Sequence, residues 1–308
     1  GAWGFHEGLA RVNTGGMFNG KYGFIDKTGK EVIKPQYDGA GDFQEGLAPV
    51  NKGGIWKGKW GYIDKTGKEI IKIQYETAYG FKNNQALVIL NDRNFHIDKT
   101  GKEINNNPPS VATDTNNKSA STSSNVQELI SFKDVNGKYG FKDKSGKTVI
   151  SPQFDDVALF SSEGLIKVKQ NDKYGFIDKT GKVVVAPKYS DAFNFSEGLA
   201  AVKQNDKWGY IDKTGKEIIK LQYDAAKNFQ EGLAPVNKGG IVEGKWGYID
   251  KTGKEIIALQ YHDGKSFSEG LAAVQENGKM DGGKWIRGKY GYIDKTGKEI
   301  IKPQYDDA

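Results

Sequence analysis

Apolar and polar positions along this chain fall into short runs that recur as a set. One complete set reads Leu199-Ala200-Ala201-Val202, then Trp208-Gly209-Tyr210-Ile211, then Glu217-Ile218-Ile219. Each run has strand length, is rich in β-branched and aromatic residues, and is bounded by Gly, Asn, Asp and Lys. The stretch Asp212-Lys213-Thr214-Gly215 between the last two runs fits a type I turn: Asp bonds back onto the backbone at the first position and Gly supplies a positive φ at the fourth. Elsewhere Asn136-Gly137 and Asn171-Asp172 read as two-residue hairpins leading into the aromatic-Gly strand. The pattern therefore predicts a three-stranded antiparallel meander specified locally, turn by turn.

The aromatic-Gly pair begins at Tyr22-Gly23, Trp60-Gly61, Tyr174-Gly175, Trp208-Gly209, Trp246-Gly247 and Tyr290-Gly291, with imperfect copies at Tyr139 and Asn94, which makes eight units. The shortest spacings, 60 to 94 and 174 to 208, are 34 residues, within the range of solenoids, propellers and arrays. Successive strand residues point to opposite faces, so Trp208 and Tyr210 share one face while Gly209 and Ile211 share the other. The pair Ile218-Ile219 repeats the theme, and a strand apolar on both faces is covered on both, which implies sheets packed side by side. The glycine is expected to leave room for a ring of the neighbouring unit. Pro49 and Pro235, at the third position of the Leu-Ala-x-Val run, lack a ladder donor and place that strand outermost.

These residues resemble the bacterial WG repeat, named for the tryptophan-glycine pair in Trp-Gly-Tyr-Ile-Asp-x-x-Gly-Lys. The resemblance covers nearly the whole chain outside residues 105 to 124 and implies a β-rich repeat of bacterial, often surface-associated proteins, with no catalytic residues and no general ligand. Asn94-Phe95-His96 departs from the aromatic-Gly-aromatic core and Lys142 replaces isoleucine, so the third and fourth units are expected to pack least well.

Three units occupy residues 1 to 104, a low-complexity Asn/Pro/Ser/Thr linker residues 105 to 124, and five units residues 125 to 308. The step from the Val of Leu-Ala-x-Val to the next aromatic varies. It is six residues at Val168–Tyr174 and Val202–Trp208, ten at Val12–Tyr22, Val50–Trp60 and Val236–Trp246, and sixteen at Val274–Tyr290. Units one, two, seven and eight carry the long versions and become contiguous if the array closes. The chain also begins and ends mid-repeat, as a ring sealed by pairing its termini would. The expected fold is all-β, built of tandem three-stranded antiparallel meander repeats, with propeller-like closure favoured over an open β-solenoid; duplication of a unit pair would give the same hairpin pattern without closure.

Composition narrows the chemistry. The net charge of +6 comes from 45 basic and 39 acidic residues that are interspersed, and Arg11, Arg93 and Arg287 are the only arginines. That favours anionic partners while disfavouring specific nucleic-acid reading, which uses the guanidinium fork. No cysteine is present, so there is neither disulfide nor thiolate ligand, and no apolar stretch approaches the ~20 residues of a transmembrane helix. The histidines His6, His96 and His262 occupy unrelated repeat positions, and no nucleophile, metal or phosphate-loop motif occurs. The expectation is no enzyme and no cofactor. Asp26, Asp64, Asp178, Asp212, Asp250 and Asp294 read as turn formers before metal ligands, Asp155-Asp156 and Asp306-Asp307 as loop residues, and Trp60, Trp208 and Trp246 as core before sugar platforms.

The long hairpins carry apolar residues that the short ones lack: Met17-Phe18, Ile55-Trp56, Ile241-Val242 and Trp285-Ile286. With Lys57 and Arg287 beside them, Phe18, Trp56 and Trp285 form the candidate ligand-binding rim, rings meeting sugar faces or partner side chains and cations meeting anionic groups. The same tips could instead fold back on neighbouring units. The functional expectation is a binding or adhesion module of a bacterial surface or secreted protein, engaging an anionic glycan, a cell-wall polymer or a protein. The alternative is a structural protein that assembles with copies of itself.

Overall fold

A computed structural model of the chain describes residues 4–16, 20–54, 57–104, 129–158, 163–281, 284–286 and 288–307; the linker at 105 to 124 lies outside them. Eight antiparallel sheets follow one another, one for each aromatic-Gly unit. Repeat 2 shows the plan: a two-residue strand Gly39–Ala40, then Leu47–Lys52, Lys59–Asp64 and Glu69–Tyr75, hydrogen-bonded in that order. The predicted meander thus gains a short fourth strand in most repeats. Among the described residues the helical content is one turn, Gly240–Glu243.

The turns form largely as their residues dictate. Asp64 Oδ1 accepts from the Thr66 N–H (2.9 Å), the Thr66 hydroxyl (2.6 Å) and the Lys68 N–H (3.0 Å), while the Gly67 N–H closes onto the Asp64 carbonyl at a φ of +85°. Asn171-Asp172 is the expected two-residue hairpin, with φ of 51° and 60°. Asn136-Gly137 is not: Asp134 caps the stretch as Asp64 does, so those two residues complete a four-residue turn.

Two expectations about the strands are corrected. Leu47–Lys52 is not outermost, because Gly39–Ala40 pairs with it; the free edge belongs to Glu69–Tyr75. Pro49 is tolerated because its missing donor falls just beyond that short strand, while its carbonyl still accepts from Gly41 N–H at 2.8 Å. The Glu-Ile-Ile strand is also covered on one face only: Ile71 is buried, whereas Ile70 is 40% exposed.

The glycine of the aromatic-Gly pair has a different cause from the one expected. Trp60 pairs with Tyr75 and Tyr62 pairs with Ile71, so Lys72, Ile73 and Gln74 all stand opposite Gly61. This is a bulge, and its backbone lies directly on the glycine. A Cβ on Gly61 would sit 2.6 Å from the Ile71 carbonyl oxygen and 2.7 Å from Ile73 N and Cα. Gly23, Gly140, Gly175, Gly209, Gly247 and Gly291 meet the same carbonyl at 2.4–2.6 Å. What fills the gap is the unit's own next strand, not a neighbour's ring. Ile71 and Tyr75 share the buried side by alternation, and the bulge brings them opposite Tyr62 and Trp60, two pairing steps apart instead of four.

By contacts the residues form two compact units, Gly1–Pro108 with Gln260–Ala308, and Pro109–Leu259. Within the first, Tyr62 meets Phe81 of the following repeat edge-on at 5.0 Å and Phe24 meets Phe43 at 4.8 Å. Within the second, Phe176–Phe195 (4.8 Å) and Tyr210–Phe229 (4.9 Å) repeat that joint. Within each unit turn glycines dock on the buried aliphatic residue of the repeat before, Gly67 on Ile33 and Gly101 on Ile71 in the first, Gly181 on Ile150 and Gly215 on Val185 in the second. Repeat 8 meets repeat 1 in the same way. Tyr292 packs on Phe5 at 5.2 Å and Gly29 lies against Ile301. The Asp306 N–H donates to the Asn13 carbonyl at 3.0 Å, as the Asp38 N–H donates to Asn51.

Gly209→Ala puts a methyl group into the Ile219 carbonyl with no room to relax, an overpacking cost of about 1–3 kcal/mol. A lowered urea midpoint relative to the native chain checks this; an unchanged midpoint would show that the bulge can move away.

Candidate binding surface on the long hairpins

Two kinds of hairpin leave the Leu-Ala-x-Val strand. The short kind, at Asn171-Asp172 and Asn205-Asp206, needs nothing beyond two left-handed residues. The long kind is built differently. In repeats 1, 2 and 7 the ladder runs on to a pair of left-handed glycines, Gly15-Gly16, Gly53-Gly54 and Gly239-Gly240, and a single helix-like bond closes the loop. Those bonds are Gly20 N–H to Gly16 (2.9 Å), Gly58 N–H to Gly54 (2.7 Å) and Gly244 N–H to Gly240 (3.0 Å). In repeat 8 the insertion forms its own ribbon, Lys279–Asp281 paired with Lys284–Ile286.

A carboxylate from the preceding repeat grips each glycine neck. Asp224 Oδ2 accepts from Gly239 N–H (2.8 Å) and Gly240 N–H (3.1 Å), Asp306 Oδ2 from Gly15 (2.9 Å) and Gly16 (3.1 Å), and Asp38 Oδ2 from Gly53 (2.9 Å). Their other oxygens bind Lys207, Lys289 and Lys21 respectively. Successive N–H groups around a carboxylate make an anion nest. The lysine contact first, then the glycine N–H groups, hold Asp38 and Asp224 below the usual carboxylate range against the opposing pull of burial.

Beneath each long hairpin lies a buried amide. Asn13, Asn51, Asn237 and Gln275 are the buried polar residues among the described ones, at 0–3% exposure. A Cβ on Gly20, Gly58 or Gly244 would fall 2.1–2.4 Å from the Oδ1 of Asn13, Asn51 or Asn237, so amide and glycine are fitted to one another. Gln275 Nε2 donates to the Gly288 carbonyl at 2.7 Å. Among the described residues no donor lies within hydrogen-bond reach of the side-chain oxygen of any of these four amides. The short hairpins carry Lys169 and Lys203 at this position. The amide under each long loop, against Lys169, Lys203 and Ile89 under short ones, was present in the sequence as a departure at one repeat position.

Of the five candidate rim residues, Phe18, Trp56 and Arg287 lie outside the described residues. Lys57 is exposed at its tip, and the backbone of Trp285 pairs with Met280. The aromatic-Gly residues divide: Trp208 and Tyr290 are buried, whereas Tyr22, Trp60, Tyr174 and Trp246 are half-buried. Trp208 stacks on Phe193 at 5.2 Å and Trp246 lies under the Lys227 ammonium at 4.7 Å.

At the other end of the Leu-Ala-x-Val strands, a Phe-x-Glu-Gly turn enters those of repeats 1, 2, 6, 7 and 8. Glu7 accepts from Gly46 N–H of the next repeat (3.0 Å) and pairs with Lys65 (3.1 Å); Glu269 does the same with Gly8 (3.0 Å) and Lys27 (2.9 Å), and Glu197 with Gly232 and Lys251 (3.0 Å each). In the first compact unit these turns border a concavity of about 440 Å³ whose carboxylates Glu7, Glu45 and Glu269 are thus all engaged in joints between repeats. Among the described residues no group of three His, Cys, Asp or Glu is placed to hold a metal ion.

The WG containing repeat matches residues 22–56, 60–93, 139–174, 174–208, 208–240, 246–279 and 290–308. No curated protein matches the sequence. Among solved structures, a crystal structure of the eukaryotic initiation factor aligns with a TM-score of 0.51 at 9% identity, over 100% of this chain and 88% of that one. The acylaminoacyl peptidase of Pyrococcus horikoshii aligns at 0.46 and 10% identity, this chain spanning 98% of itself and about half, 52%, of the peptidase. The β-propeller domain of the Trilobed protease from Pyrococcus furiosus aligns at 0.42 and 9%, over 97% and 95%. At such identities the likeness is one of fold.

Because Asp38 and Asp224 titrate below the ordinary range, their grip is complete above the usual carboxylate pKa, about 4, and is lost as pH falls through the lowered value. Hydrogen exchange should show the Gly53 and Gly239 amides losing protection in acid before the strand amides of Trp208–Ile211. Asp224→Asn should loosen Gly239 at neutral pH while costing less than about 1 kcal/mol of overall stability.

Proposed function

We propose that this chain, which belongs to the WG containing repeat family, is a non-enzymatic binding module whose repeats close into a propeller-like ring. The joint between repeat 8 and repeat 1 supports closure: ring contact, glycine docking, carboxylate clamp and backbone bridge all recur there in the form they take between consecutive repeats. In such a ring the hairpins of repeats 7, 8, 1 and 2 stand side by side, with short hairpins elsewhere.

The observation that carries the reading is the construction of those hairpins. The fold is satisfied by a two-residue turn at Asn171-Asp172, so left-handed glycines, a gripping carboxylate and a buried amide serve something other than the meander. They fix the neck of each of these hairpins. The tips bring Phe18, Trp56 and Trp285 with Lys57 and Arg287, rings and cations suited to an anionic glycan, a cell-wall polymer or an acidic protein surface. A place at the cell surface or outside the cell fits that partner class and the net charge of +6.

A second reading, self-assembly, draws on the free edge. Ile70, Ile218 and Ile300 are 37–40% exposed on strands reading Glu-Ile-Ile-Lys, and antiparallel pairing of two such edges sets each Glu against a Lys. Light scattering over a hundredfold range of concentration separates the two: the binding module stays monomeric. On an array of anionic and neutral glycans, Phe18→Ala/Trp56→Ala/Trp285→Ala should lose at least tenfold in affinity for whatever the native chain binds; equal binding by both removes the hairpin rim from the mechanism.

A further inference from the structure

Repeat 3 departs from its neighbours along one row of side chains that crosses its sheet. The Tyr79 N–H donates to the Leu87 carbonyl at 3.0 Å, and Leu87 pairs with His96 on the next strand. The corresponding rows are Gly41–Pro49–Tyr62 in repeat 2, Phe193–Ala201–Tyr210 in repeat 6 and Lys265–Ala273–Tyr292 in repeat 8. In those rows the last member is a tyrosine with no exposed surface. His96 is smaller and half-exposed, and Asn94 stands where the first aromatic would be. Phe193 in repeat 6 lies stacked on that first aromatic, Trp208. With Asn94 in its place, Tyr79 keeps 52% of its surface exposed.

Beside His96 lies a cavity of about 500 Å³, lined by Tyr79, Lys82, Asn83, Gln85, Leu87 and His96. That volume lies inside the range of about 300–1,000 Å³ of small-molecule sites. The lining chemistry is particular. Tyr79 offers a ring face; Asn83 and Gln85 are exposed amides that both donate and accept; Lys82 is an exposed ammonium that forms no ion pair among the described residues. The nearest carboxylate along the row of turns, Glu45, is taken up by Lys99 and the Asn84 N–H. A ring with one open face suits the apolar face of a pyranose, paired donors and acceptors suit adjacent hydroxyls, and an uncommitted ammonium suits a carboxylate.

We infer that the degenerate third repeat is a binding site for an acidic oligosaccharide, one sugar stacked on Tyr79, its hydroxyls on Asn83 and Gln85 and a uronate carboxylate on Lys82. The site is separate from the long hairpins and does not rest on them. Its logic is that a repeat gains a site by losing its core residues.

The test uses the full chain and tetragalacturonate as the probe, with maltotetraose as the uncharged control, followed by calorimetry and by amide shifts of residues 79–96. Native protein should bind tetragalacturonate and prefer it to maltotetraose. Tyr79→Ala should weaken binding about tenfold or more, and Lys82→Gln should remove the preference for the acid. His96→Tyr writes the repeat's own residue back into the cavity; it should abolish binding while leaving the melting temperature unchanged or higher, which separates loss of the site from loss of the fold. Absence of binding by the native chain, or undiminished binding by His96→Tyr, overturns the inference. So does binding that survives in His96→Tyr but disappears in Phe18→Ala/Trp56→Ala/Trp285→Ala, which would assign the sugar to the hairpin rim.

Discussion

The whole architecture depends on a contact between two stretches of backbone. In each regular repeat three residues of the last strand crowd over the glycine of the aromatic-Gly pair, closer than any side chain would permit. The extra residues change the phase of that strand, so that Ile71 and Tyr75, which plain alternation also places on one side, come into the core two pairing steps apart instead of four. Ile71 then becomes the surface on which the next repeat's turn glycine, Gly101, comes to rest, and Tyr75 backs the rings of repeat 3. One glycine therefore governs the packing within a repeat and the joint to the next. A two-stranded or flat three-stranded unit of this size would have no such second face to offer.

Much of the architecture was legible because it is local. Asp-Lys-Thr-Gly and Asn-Asp state their turns through side chains that bond within two to four residues, and the alternation of Trp-Gly-Tyr-Ile states its strand. What escaped was set by pairing register. Nothing in Ile70-Ile71 distinguishes the exposed residue from the buried one until the bulge is known, and nothing in Gly61 says whether a ring or a backbone will occupy the space above it. The short strand Gly39–Ala40 was missed for a related reason: two residues are too few to show a period. The hairpin tips were legible as anomalies of length, whereas the amides Asn51 and Gln275 beneath them were not, because an Asn or Gln after a strand looks like ordinary loop chemistry until its burial is seen.

Departures from a repeat have two physical meanings in this chain, and the distinction bears on where function is to be sought. Lys142 replaces an isoleucine, yet its ammonium lies over the Phe132 ring at 4.3 Å, so the exchange is met by a local partner. Asn94 and His96 replace two rings without replacing their volume, and beside His96 lie an exposed Tyr79 and an open cavity. The long hairpins are a third case, in which material is added and then restrained by Asp38, Asp224 and Asp306. A repeat protein tolerates such changes because each unit leans only on its neighbours, so a cost at one joint is not passed along the array.

That tolerance has a limit, which explains where the additions fall. Within each compact unit the joints draw on the same three groups: the second aromatic of one repeat against the Phe of the next, a turn glycine against a buried aliphatic, and a glutamate clamping a backbone N–H and a lysine. All of them lie on the strands or at the Phe-x-Glu and Asp-Lys-Thr-Gly ends. The hairpin after Val50 supplies none of these groups; its ties to the preceding repeat among the described residues include the Asp38 carboxylate on its neck and the Lys52 ammonium over the Tyr37 ring. It is accordingly the place where length varies from six to sixteen residues while the sheets on either side keep their register. Loops free of structural duty are where recognition can be built without destabilising the frame, and the buried amides mark the hairpins in which this chain builds more than a turn requires.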